Sequence, residues 1–257
     1  MHVEDGGSVS VGRRGVDVAP SSPHFPASND TVLTGRPEPA PMSAVGRTSR
    51  QEIVELVVAW LALTLAVAFL FTDPVQRFPT IDVARFAIVA AVSFVTAGAG
   101  FLLHELAHKV VAQRYGYWAE FRADYGMLAL AVVSGLAGFL FAAPGAVHIR
   151  DRGGGGITER ANGLISLAGP ATNLGLFAVF AAIYLVAPAT GTATSLGGAA
   201  LATVGRFGMF VNAFLAGFNM LPWGPLDGRK VLAWSTPVFG ATLAVAVGLA
   251  YASFTLL

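Results

Sequence analysis

Two histidines and a glutamate stand together in His104-Glu105-Leu106-Ala107-His108, directly after a run, residues 86–103, that holds no Asp, Glu, Lys or Arg. A four-residue spacing puts both imidazoles on one face of a helix, about one turn apart, where they can share one zinc ion. The glutamate between them is placed to take a proton from a water molecule that such an ion activates. Ionisable groups at membrane depth are costly to hold there and mark function. The bland alternative is a pair of interior histidines bonded to neighbouring helices, and it gives no reason for the glutamate.

A catalytic zinc takes three protein ligands and keeps one position open. The chain has no cysteine, so the third ligand must be His, Asp or Glu. Asp227 is the best candidate, in Phe218-Asn219-Met220-Leu221-Pro222-Trp223-Gly224-Pro225-Leu226-Asp227-Gly228. It closes a long apolar run, and Arg229 and Lys230 follow it. Asp-Gly is also a common turn pair, so a plain helix-terminal turn is the competing reading. His148, beside Arg150 and Asp151, reads as an ordinary interfacial histidine.

The elements that must position these groups are membrane helices. Of the 257 residues, 54% are hydrophobic and only 12% charged, against roughly 25% charged in soluble domains; mean hydropathy is +0.64. The expected fold is an all-α polytopic membrane protein with five to six transmembrane segments, one of them re-entrant. A net charge of +1 supplies no basic face for nucleic acid. Residues 1–46 are rich in Gly, Pro and Ser and poor in large apolar side chains, so a disordered tail is expected up to about residue 50. Met42 is an alternative start. The membrane domain is expected over 51–257.

Uncharged runs of about 20 residues predict the spans. The first covers 53–71 and ends at Asp73-Pro74; the second covers 83–115 and carries the histidines. Residues 161–205 hold a span, a turn at 188–191 and the start of another, which 207–226 completes; the last begins near 238. Arg47 and Arg50 place the N-terminus in the cytoplasm by the positive-inside rule, and the second span then brings His104 back to the cytoplasmic side. The apolar run 126–147 is long enough to cross, yet Gly126, Gly135, Gly138 and Pro144-Gly145 interrupt it and Arg150, Arg152 and Arg160 follow. If it crosses once, Asp227 lands on the side opposite the histidines. If it returns to its own side, Asp227 joins them. The predicted element is therefore re-entrant, buried in protein or lining a cavity, as membrane-depth backbone must be.

Three motifs in this order, the HELAH pentapeptide, Leu167-Ala168-Gly169-Pro170-Ala171-Thr172-Asn173, and Asn219 through Pro222 to Leu226-Asp227-Gly228, resemble the site-2 protease family, intramembrane zinc metalloproteases. The resemblance runs from about Ile53 to Leu257. It implies one zinc per chain on His104, His108 and Asp227, with Glu105 activating water and protonating the leaving amine. It implies that Asn173 and Asn219 are polar groups near the cleft that hold substrate backbone or the local fold. Interhelical hydrogen bonding is the alternative for both asparagines. Gly169-Pro170 reads as a helix start and close-packing device. The implied substrates are transmembrane or membrane-proximal segments of other membrane proteins, cut near the cytoplasmic face in the lipid bilayer of the cell. Regulation is absent or comes from an unidentified partner. The competing functions are a metal transporter or metal-binding protein using the same ligands, and a catalytically inactive family member. A transporter needs polar residues leading across the membrane, and an inactive scaffold has no need of Glu105.

Overall fold

A computed structural model describes residues 48–72, 82–141, 144–189 and 196–256. The expected tail, the candidate start at Met42, the stop at Asp73-Pro74 and the end of the turn at 188–191 lie outside the described residues.

Among the described residues, five helical segments are long and apolar enough to cross a membrane. Helix α1 spans Arg50–Thr72. Helices α2 (Val83–Ser93) and α3 (Ala99–Arg114) form one continuous span through a π-helical turn at Phe94–Gly98. Helix α5 covers Glu159–Ala189, α6 Leu196–Asn219 and α8 Thr236–Phe254. The short α7, Asp227–Trp234, joins α6 to α8. Gly169-Pro170 does not start a helix. It lies well inside α5, where neighbouring helices allow a proline that an isolated helix would not tolerate.

The π turn has a local cause. The Trp60 ring of α1 stacks on Phe94 with centroids 4.4 Å apart, and its indole N–H donates to the Phe94 carbonyl at 3.0 Å. A Cβ on Gly98 would come within 2.2 Å of the same ring. Insertions of this kind recur at functional sites, and this one ends six residues ahead of His104.

Between α3 and α5 the fold is not purely helical. Strands β1 (Trp118–Ala123) and β2 (Gly145–Arg150) pair antiparallel, with Trp118 opposite Arg150 and Ala123 opposite Gly145. Helix α4, Tyr125–Leu136, sits between them. At 1.5 Å per residue it is about 18 Å long, short of the roughly 30 Å apolar core. Asp124 caps its start by accepting from Met127 N–H, and a turn through Gly138 at φ 87° ends it, with Phe139 N–H bonding the Ser134 carbonyl. Since β1 and β2 are neighbours, the apolar segment between them starts and finishes at the same level: it does not cross. Gly135 makes this packing close, because a Cβ there would lie 2.2 Å from the Ala66 carbonyl of α1. The core between these elements is built from Leu56, Leu63 and Val67 of α1, Phe101 of α3, Phe121 of β1, Leu128 of α4, and Phe207 and Val211 of α6.

The two-stranded sheet turns different edges to different neighbours. Phe121 N–H donates to Glu52 at 3.0 Å and Ala123 N–H to Glu55 at 2.9 Å, so these groups point away from β2. Ladder bonds in an antiparallel pair alternate, and the Asp124 N–H to Pro144 carbonyl bond keeps that alternation. Gly145, Val147 and Ile149 therefore direct their N–H and C=O groups to the outer edge of β2.

Candidate metal and catalytic site

Helix α3 carries His104, Glu105 and His108, and the start of α7 carries Asp227; all four are buried. The two imidazole Nε2 atoms lie 2.9 Å apart. Asp227 Oδ2 is 3.3 Å from His104 Nε2 and 3.1 Å from His108 Nε2. Ligand atoms on a tetrahedral zinc at 2.0–2.1 Å are about 3.3 Å apart, so the triangle has the right size for one ion.

The far side of each ring strengthens this fit. His104 Nδ1 is 2.6 Å from Asn173 Oδ1, and His108 Nδ1 is 2.7 Å from the Ile165 carbonyl. The Asn173 amide is oriented by its other end, which donates to the Gly100 carbonyl at 3.2 Å and to Asn212 Oδ1 at 3.0 Å. Both Nδ1 atoms thus face acceptors and carry the proton. Both Nε2 atoms then offer lone pairs, toward each other and toward a carboxylate. Three converging donors without a proton among them suit a cation, and partners of this kind fix ring tautomer and orientation in metal sites. Asp227, within 3.3 Å of both Nε2 atoms, would be the third such donor, ionised as a ligand must be.

Two glycines make the assembly sterically possible. A Cβ on Gly169 would stand 2.5 Å from both His104 Nε2 and His108 Nε2, so only glycine lets α5 lie against the two rings. A Cβ on Gly228 would meet the Met220 carbonyl at 2.0 Å, and glycine there lets the first turn of α7 fold back on the end of α6.

Over 195 residues, 75% of this chain and 88% of the other, the sequence is 41% identical to MJ0611 of Methanocaldococcus jannaschii, named as a candidate zinc metalloprotease. The chain belongs to the site-2 protease family. A second zinc metalloprotease of this type, Rip3 of Mycobacterium tuberculosis, also named as a candidate, is 31% identical over 177 residues, 69% of this chain and 38% of Rip3. No family model matches, and no solved structure matches. This site-2 protease homologue is a zinc metalloprotease and a multi-pass membrane protein.

In this zinc metalloprotease a cavity of about 170 Å³ opens beside the triad. Its lining includes Glu105, Ser166, Asn219, Lys230, Phe218 and the outer edge of β2. Val147, on that outer edge, lies beside Glu105 in the cavity wall. Of the two asparagines expected near the cleft, only Asn219 reaches it, and its amide donates to the Leu215 carbonyl at 2.9 Å. Asn173 is fully buried behind His104, with both ends of its amide engaged, and does not line the cavity. Asn212 and the Ile165 carbonyl have no counterpart in the sequence reading, whereas Gly169 is the close-packing residue expected there. Asn212 had a signal, a fully buried amide in an apolar helix; the Ile165 carbonyl had none. His148 is exposed on β2, away from the triad.

Proposed function

We propose that this chain is an intramembrane endopeptidase that holds one zinc on His104, His108 and Asp227 and hydrolyses peptide bonds in or near transmembrane segments of other membrane proteins. The observation that carries it is the convergence of three unprotonated donors beside Glu105, in a cavity walled by membrane helices and by a strand edge. Zinc, when bound, supplies Lewis-acid polarisation of the scissile carbonyl and of the attacking water. Glu105 takes the proton of that water and later gives it to the leaving amine nitrogen. Asn173 and Ile165 keep the two imidazoles turned with Nε2 inward.

The outer edge of β2 explains how a membrane substrate is presented. A helix hides its peptide groups in its own hydrogen bonds. Among the described residues the outward backbone groups of Gly145 and Ile149 have no partner, so an unwound substrate segment can add as a strand. Asn219 lies within reach of a chain so bound. Arg50, Arg114, Arg122, Arg150, Arg152, Arg160, Arg229 and Lys230 all fall at one end of the spans, which by the positive-inside rule supports a cytoplasmic site.

The test is purified protein in proteoliposomes with a transmembrane substrate, wild type beside Glu105→Gln. The variant keeps about one zinc per chain and loses cleavage by 10²-fold or more. Undiminished cleavage by Glu105→Gln would sink the mechanism.

A further inference from the structure

Lys109 follows the metal-binding His108 and is itself buried, as is its partner Glu52 at the start of α1. Lys109 Nζ lies 2.5 Å from Glu52 Oε2 and 2.8 Å from Thr48 Oγ1. The other Glu52 oxygen accepts from Phe121 N–H of β1 at 3.0 Å. One turn further along α1, Glu55 takes Ala123 N–H and lies 3.6 Å from Arg122 Nη1. A fully buried ion pair is a poor stabiliser, because desolvation offsets its attraction. What this one fixes is position.

Glu105 and Lys109 are four residues apart and so share one face of α3. Glu105 meets Val147 of β2 at the cavity wall. From β2 the ladder leads to β1, from Phe121 N–H to Glu52, and from Glu52 back to Lys109. The loop is closed, and both of its ends sit on the helix that holds the metal ligands. We propose that the buried Glu52–Lys109 pair is a positioning latch, which sets the height of the β2 edge against Glu105 and the metal triad and so registers the substrate strand. The proposal rests on the proteolytic reading above only for what the edge binds. Removing the latch leaves ligands and base in place but lets the edge drift, so it weakens substrate binding rather than the chemical step.

The test compares wild type, Lys109→Met, Lys109→Arg and the double variant Glu52→Gln/Lys109→Met, as full chains in detergent and in proteoliposomes. For Lys109→Met, zinc content stays at the wild-type value, KM for a transmembrane substrate rises about tenfold or more, and kcat stays within about threefold. Lys109→Arg restores KM. Independently of activity, amide exchange over residues 145–150 speeds up about tenfold or more while residues 166–180 are unchanged. Unchanged KM, a fall in kcat alone, loss of zinc, or unchanged exchange would each overturn the latch. Should Lys109→Met not fold, the double variant, which buries no unpaired charge, is held to the same outcomes. A wild type that cuts nothing would remove the proteolytic reading, and the exchange comparison would still decide the latch.

Discussion

One amide decides which nitrogen of His104 faces the metal triad. Asn173 accepts on one side and donates twice on the other, so it cannot turn over without losing all three bonds. Asn173→Leu keeps the branching at Cγ and removes the acceptor. Zinc affinity should fall about 10–100-fold, the usual effect of losing such a partner, as read by competition with a chelating dye. Gly169→Ala should weaken zinc as well, by pressing a methyl group against both imidazoles. An unaltered affinity in both variants would show that neither residue orients the rings. His104, Glu105 and His108 were legible in the sequence because charge is so rare in an apolar span. The direction in which Asn173 points was not legible, since it depends on where α5 crosses α3 and α6.

Helix α4 owes its short length to local signals and its depth to contacts with distant residues. Asp124, Gly138 and Pro144-Gly145 punctuate the apolar run, and the sequence shows them. Hydropathy alone counts 126–147 as one span, because averaging hides the breaks. The carboxylates of α1 that occupy the other edge of β1 join residues about 70 apart in the chain, the pairing of β1 with β2 reaches across all of α4, and no local pattern announces either. The same limit made Gly169-Pro170 look like a helix start: proline's local preference is overridden where, as at Pro170, the position is buried against neighbouring elements. Gly135→Val tests the α1–α4 contact. The added side chain must move α4 away from Ala66, at a cost of about 1–3 kcal/mol. The expected result is a lower unfolding temperature in detergent with zinc content retained, because no metal ligand lies on α1 or α4. An unchanged unfolding temperature would mean that α4 is free to shift.

For the whole molecule, the count of crossings and the metal site depend on each other. A non-crossing segment between α3 and α5 is what lets Asp227 meet the histidines, and the sequence carries that argument through charge and parity. The absence of native cysteine makes it testable with single probes. Gly155→Cys and Arg85→Cys are both exposed and stand at opposite ends of the spans. In intact cells or oriented vesicles, an impermeant maleimide should reach residue 85 from outside and residue 155 only from the cytoplasmic side. Labelling of both from one side would rule out the arrangement.

The separation of the ligands along the chain also sets an order of events in the life of each molecule. The histidines are made in the second span, but Asp227 follows only after α5 and α6 have been synthesised. A growing chain can therefore offer a metal two imidazoles and nothing to close the site. The complete set of three donors arrives only once the fourth span is in place. The order of synthesis thus delays any chemistry that needs all three until the fold around them is nearly finished.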